Sequence, residues 1–213
     1  MELFFYTIEL LGTVAFAVSG SMTALWKKMD MFGVCIMGVT TACAGGILRD
    51  IFLGKLPPVM FTEPVYALTA IITSLVIFYP SVRALLMKQK QWYDEILFLA
   101  DSFGLGIFTA VGVSAAINAG YGNNLFFTVF LGTLTGVGGG VMRDLMAGQT
   151  PYILMKHIYA LASIAGGLIC VGIWNYKSQE YAFLGCWIIV TVIRALAARG
   201  HWSLPKPDDN DIA

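Results

Sequence analysis

Two stretches of this chain put charge where a membrane-length apolar run tolerates it least. Ala44-Gly45-Gly46-Ile47-Leu48-Arg49-Asp50 and Gly138-Gly139-Gly140-Val141-Met142-Arg143-Asp144 each lie inside a segment long and apolar enough to cross a bilayer. Each sets glycines, then an adjacent Arg-Asp pair, at membrane depth. Ionisable residues at that depth are costly and are read as functional by default. Glycine tolerates backbone angles that other residues avoid, so a helix can unwind there. Unwound backbone in a bilayer must be buried in protein or line a watery cavity. Two such sites in one short chain suggest a permeation pathway. The plainer alternative is that the glycines serve close helix packing and that each Arg-Asp is a self-neutralised structural pair. Recurrence at matched positions weighs against it.

Composition sets the class. Of 213 residues, 58% are hydrophobic and 12% charged, about half the charged share of soluble domains, which is about 25%. Such a chain is a polytopic helical membrane protein. Its formal net charge of zero implies no nucleic-acid partner. Cys35, Cys43, Cys170 and Cys186 lie within apolar runs with no metal-binding spacing, so neither a disulfide nor a metal is implied. No nucleophile–base pair or phosphate loop is present, and an enzyme is not expected. The first apolar run lacks the flanks of a signal peptide and reads as a retained helix.

Seven apolar segments can be read: residues 3–25, 33–53, 63–82, 95–117, 125–147, 156–174 and 181–199. Most are about 20 residues, enough for a core of about 30 Å. Glu63 and Lys156-His157 open the third and sixth segments and read as surface positions. Alternate links carry unequal charge. One side receives Lys27, Lys28, Arg83, Lys88, Lys90, Lys156, Arg194, Arg199 and Lys206; the other receives Lys55 and Lys177. By the positive-inside rule the N-terminus is outside and the C-terminus cytoplasmic.

The halves repeat. A shift of 94 lays Gly38, Ala42, Gly46, Arg49, Asp50, Gly54 and Pro57 on Gly132, Gly136, Gly140, Arg143, Asp144, Gly148 and Pro151. A shift of 93 lays Tyr66-Ala67-Leu68 on Tyr159-Ala160-Leu161, and a shift of 92 lays Glu9, Gly12, Phe16 and Gly20 on Asp101, Gly104, Phe108 and Gly112. Three segments per repeat is an odd number, so the second repeat enters from the opposite side. Glycine-interrupted segments at corresponding places in inverted halves point to a transport site. The expected architecture is all-α, with two inverted three-helix repeats (1–90 and 91–178), a seventh helix (179–200) and a disordered cytoplasmic tail (201–213).

A break at Gly45-Gly46 and at Gly138-Gly139-Gly140 frees carbonyls for a cation and exposes the positive end of a restarting half-helix, which ends at the glycine stop signals Gly54 and Gly148. Adjacent Arg and Asp lie about 100° apart around a helix and do not face one another. The expected pairing is therefore crosswise, Arg49 with Asp144 and Arg143 with Asp50. Glu9, Ser19 and Asp101 are candidate vestibule residues that draw cations toward the path. The alternative for the two acids is simple hydration near a membrane surface.

On these residues the chain resembles the prokaryotic branch of the trimeric intracellular cation (TRIC) channel superfamily, which overlaps the bacterial glycine-transporter-like membrane proteins. The resemblance spans about residues 3 to 199. It implies a homotrimer in the bacterial inner membrane, one pore per protomer, second and fifth helices kinked at glycines, and no cofactor beyond the permeant ions, potassium and sodium. Carried over by motif, the pore candidates are Gly45, Gly46, Arg49, Asp50, Gly138, Gly139, Gly140, Arg143 and Asp144. Ala44 stands where the second copy has Gly138 in the triple run, and Arg49-Asp50-Ile51 stands where animal members have Lys-Glu-Val, so phosphoinositide regulation is not carried over. A carrier for a small zwitterion such as glycine remains the alternative, its carboxylate on Arg49 or Arg143 and its amine on Asp50 or Asp144.

Overall fold

The computed structural model describes residues 2–155, 158–174, 176, 178–200 and 202. Ten α-helices follow one another among these residues: α1 (Glu2–Trp26), α2 (Met31–Phe52), α3 (Val59–Thr62), α4 (Val65–Phe78), α5 (Pro80–Leu86), α6 (Lys90–Ala116), α7 (Leu125–Met146), α8 (Tyr152–Met155), α9 (Ile158–Trp174) and α10 (Gln179–Arg199). Five of them, α1, α2, α6 with its continuation to Tyr121, α7 and α10, are long and apolar enough to cross a membrane. The expected third segment is not one straight span. It divides into α4 and α5, bent by 78° at Tyr79. Pro80 explains the bend, because a residue before proline is driven out of the helical region, and Tyr79 sits at φ −57°, ψ 133°. The sixth expected segment begins at Ile158 within the described residues; Lys156, His157 and the tail beyond Trp202 lie outside them.

The helices α2 and α7 are built alike. Asp30 caps α2 by accepting the Gly33 N–H at 2.8 Å, and Asn124 caps α7 by accepting the Phe127 N–H at 3.0 Å. At the other end Gly54 and Gly148 take φ of 69° and 64°. There the N–H groups of Gly54 and Lys55 reach back to the carbonyls of Ile51 and Asp50, and those of Gly148 and Gln149 to Leu145 and Asp144. This is the left-handed cap that only glycine enters without strain. Both glycine stop signals are therefore met.

The expected helix breaks are not. Both helices run on without interruption through Gly45-Gly46 and Gly138-Gly139-Gly140. The glycines instead let two backbones touch. A Cβ on Gly45 would run into the Thr135 carbonyl oxygen, and one on Gly139 into the Thr41 carbonyl oxygen. Thr41 and Thr135 correspond under the same 94-residue shift that relates Gly45 to Gly139, so the contact is reciprocal. With a neighbouring backbone closing each helix here, there is no reason for either to open.

Packing follows the same plan. α1, α2 and α4 contact one another, as do α6, α7 and α9; α2 meets α7, α1 meets α6, and α10 lies on α6 and α9. At the α1–α6 contact Gly12 faces Phe108 and Gly104 faces Phe16, with the two rings 5.2 Å apart. Since Phe16 follows Gly12 and Phe108 follows Gly104, the two helices run antiparallel.

The crossing generates a prediction. Gly139→Ala forces a Cβ onto backbone that cannot rotate away and should destabilise the protein by about 1–3 kcal/mol. Gly172→Ala, on a helical residue with nothing within 4 Å, should be neutral or slightly stabilising. Thermal unfolding in detergent separates the two; equal midpoints would contradict the crossing.

Candidate functional site

The second half builds a buried charged cluster around Asp101, which is 4% exposed. Arg143 on α7 donates from Nη1 to Asp101 Oδ1 at 2.8 Å and to Ser19 Oγ on α1. Its Nε donates to Asp144 Oδ1 at 2.8 Å. From α10, Arg194 donates from Nη1 to Asp101 Oδ2 at 2.6 Å. The Tyr159 hydroxyl donates to Asp101 Oδ1 at 3.4 Å. Asp144 Oδ2 accepts the Tyr152 N–H at 2.7 Å, which ties the cluster to the start of α8. Two arginines and two aspartates are thus buried together in balanced charge, as buried charges must be. A cavity of about 640 Å³ leads to this cluster, lined by Asp94, Phe98, Tyr152, Tyr159 and Trp202 among others. It reaches the surface at the exposed Asp94 and Trp202.

The first half repeats the cluster with fewer partners. Arg49 Nε donates to Asp50 Oδ1 at 2.8 Å, and Asp50 Oδ2 accepts the Val59 N–H at the start of α3, at 2.9 Å. The Tyr66 hydroxyl donates to Glu9 Oε2 at 2.7 Å. Glu9, Thr13, Gly46, Arg49, Asp50 and Tyr66 line a cavity of about 50 Å³. Among the described residues no hydrogen bond joins Arg49 to Glu9, and no arginine stands where Arg194 does. Ser19 corresponds to Val111 under the 92-residue shift, and Val111 lines this smaller cavity. A hydroxyl that holds one arginine is matched by a methyl group that cannot hold the other.

The clusters flank the contact between α1 and α6. Glu9 precedes Gly12 on the Phe108 side, while Arg143 ties Asp101 to Ser19, beyond Phe16. Ten residues of α1 separate Glu9 from Ser19, about 15 Å of helix.

The crosswise pairing of Arg49 with Asp144 and of Arg143 with Asp50 does not occur. Each arginine pairs with its own neighbour, Arg49 Nη2 with Asp50 and Arg143 Nη2 with Asp144, both at 2.8 Å. A long, flexible stem lets arginine fold back across the 100° that separates adjacent helical positions. Each arginine is thus neutralised by its own neighbour, and Gly45, Gly138 and Gly139 lie against the facing helix. Gly46 and Gly140 behave differently. A Cβ on Gly46 would lie 3.9 Å from Arg49 Nη2, and one on Gly140 would lie 2.8 Å from the Tyr159 hydroxyl and 3.5 Å from Asp101. Gly46 leaves room beside Arg49, whereas the space at Gly140 is taken by the Tyr159 hydroxyl and Asp101. Asp101 is buried, and Ser19 is a buried partner of Arg143. Sequence reasoning missed Arg194, which sits 4% exposed inside α10 and had been counted among the loop charges; removing it leaves a bias of eight to two. Tyr66 and Tyr159 are the partners of Glu9 and Asp101, a role that only their matched spacing from the two acids signals in the sequence.

Known proteins share this architecture. A family model described as "Glycine transporter" matches residues 6–81 and 98–175. The UPF0126 inner membrane protein YadS of Escherichia coli (strain K12) is 35% identical over 203 residues, covering 94% of each chain. A UPF0126 membrane protein of Deinococcus radiodurans is 37% identical over 200 residues, covering 93% of this chain and 89% of that one. Among solved structures, a prokaryotic TRIC channel superposes with a TM-score of 0.87 at 31% identity, covering 96% of this chain and 100% of that one. The TRIC orthologue from Rhodobacter sphaeroides gives 0.84 at 27% identity, covering 93% and 98%. The chain is an integral membrane protein that belongs to the prokaryotic branch of the TRIC channel superfamily, in the family described as glycine transporter.

Proposed function

We propose that the protein is a homotrimeric, potassium-permeable cation channel with one pore in each protomer, and that the pore passes both clusters. The carrying observation is the placement of two matched acids, Glu9 and Asp101, each in a cavity of its own on either side of the α1–α6 contact. The solved TRIC structures it resembles are described as cation channels, which supports the same reading. On this view the seven helices α1, α2, α4, α6, α7, α9 and α10 cross the membrane. The first six form two inverted repeats, N-terminus outside, and α10 stands outside the repeat. The reciprocal contacts of Gly45 with Thr135 and of Gly139 with Thr41 are what a two-fold axis in the membrane plane would produce.

The solved structures it resembles, described as TRIC cation channels, favour a channel over a glycine carrier. The cavity of about 50 Å³ beside Glu9 accommodates a water molecule or a bare ion, at about 30 Å³ per liquid water, but not an amino acid. The structure corresponds to a closed pore in this reading. Arg143 fills the space between Ser19, Asp101 and Asp144, and its charge repels cations that the acids would otherwise attract. Opening then requires Arg143 to leave Ser19 and Asp101.

In sealed liposomes holding purified protein, a potassium gradient without any amino acid should drive voltage-dependent flux. Asp101→Asn, which leaves Arg143 with Asp144 alone and Arg194 with no counter-charge among the described residues, should lower that flux roughly tenfold, the equivalent of about 1.4 kcal/mol. Saturable exchange of labelled glycine with no potassium flux would make the protein a carrier. Ser19→Ala removes a hydrogen bond to a charged group, worth about 1.5–3 kcal/mol, and should raise flux severalfold by freeing Arg143; a fall would contradict the plug. The native mass in detergent should correspond to three protomers of 23.1 kDa, and a monomer would contradict the assembly.

A further inference from the structure

Arg194 has no counterpart in the first half, and its hydrogen-bonding capacity exceeds what the cluster uses. Its side chain is 4% exposed. Its Cζ lies 4.5 Å from the centroid of the Tyr159 ring, 4.9 Å from that of Phe98 and 5.7 Å from that of Tyr152. Aromatic rings engage the face of a guanidinium and leave its N–H groups, which lie in the plane, to find acceptors there. Nη1 finds Asp101. Among the described residues Nε and Nη2 donate to nothing, and Arg194 lines the cavity of about 640 Å³. An edge of two parallel N–H donors open to the cavity is shaped for the two oxygens of a carboxylate.

The surroundings narrow the ligand. Arg143 and Arg194 are already balanced by Asp101 and Asp144, and Asp94 adds negative charge at the cavity mouth. A dianion would be repelled more strongly than a monoanion. The remaining wall is apolar or aromatic, with Leu97, Phe98, Met155, Ile158 and Trp202. The volume falls within the range of pockets that enclose small organic molecules, about 300–1,000 Å³.

We propose that this cavity binds an organic monocarboxylate, its oxygens on the Nε/Nη2 edge of Arg194 and its apolar body against Phe98, Met155, Ile158 and Trp202. Such an acid can arrive from water, as a small aromatic or aliphatic acid, or from the bilayer, as a free fatty acid. Because the same guanidinium holds Asp101, occupancy is communicated directly to the charged cluster.

The test is equilibrium binding to the full-length protein in nanodiscs, with labelled benzoate and labelled laurate as probes and benzyl alcohol and dodecanol as neutral controls. Saturable binding of benzoate identifies a soluble source, and saturable binding of laurate alone identifies the bilayer; either result supports the site. Arg194→Gln should weaken that binding by about tenfold or more, as loss of a charge-assisted pair of hydrogen bonds demands. Ala198→Phe fills the cavity from the exposed rim, one helical turn beyond Arg194, keeps both arginines and both aspartates, and should also abolish binding. It serves as the decisive variant if Arg194→Gln does not fold. Absence of saturable binding by both acids, alcohols that compete as well as the acids, or affinities unchanged in Ala198→Phe would overturn the proposal. The readout does not involve ion flux, so a protein that binds benzoate but passes no potassium would refute only the channel reading.

Discussion

Where α2 crosses α7, the carbonyl oxygens of Thr41 and Thr135 lie against the α-carbons of Gly139 and Gly45. No other residue type permits that approach, and much else follows from it. Two membrane-length helices brought this close hold the two halves of the chain in register. Side chains on the flanks of the crossing are directed away from each other, Arg49 toward α1 and α4 and Arg143 toward α1, α6, α9 and α10. The chain therefore carries two separate charged clusters. Each is also anchored from behind, because the left-handed caps at Gly54 and Gly148 turn the chain back. Asp50 and Asp144 can then accept the first N–H of α3 and of α8.

The clusters are related but unequal. Arg143 is held by Asp101, Asp144 and Ser19, while Arg49 is held by Asp50 alone among the described residues. Two substitutions of type account for the difference: Val111 stands where Ser19 stands in the other half, and Arg194 comes from a helix the first half lacks. A duplicated site with one copy fully satisfied and one loosely held is a natural arrangement for a pathway closed mainly at one end. Leaving the tighter site requires breaking several charge-assisted hydrogen bonds in a buried setting, where each counts for more than it would in water.

Much of this was legible in the sequence because it rests on glycine spacing and on charge at membrane depth. The doubled motif, the matched acids Glu9 and Asp101 and the terminal glycines all occupy the places their spacing implied. What the spacing could not convey was side-chain reach. Adjacent helical residues diverge by 100°, but arginine is long enough to turn back on its neighbour, so Arg49 and Arg143 pair locally. Glycine in a helix permits a break without requiring one, and here a facing backbone removes the need. Arg194 was hidden by its place near the end of the last helix, where a basic residue ordinarily marks a membrane boundary. Only the packing of α10 onto α6 and α9 brings it to Asp101.

In the proposed channel, ions cross inside the protomer, past Thr13 on the Glu9 side and Ser19 on the Asp101 side. The most direct test places single cysteines at these two positions in a protein whose native cysteines, including Cys43 beside Glu9, have been replaced. A small cationic thiol reagent is then added to either face of flux-competent liposomes. Modification at either position should arrest potassium flux, with Thr13→Cys reached from one face of the membrane and Ser19→Cys from the other. Flux that persists after both positions are fully modified would place the pathway elsewhere.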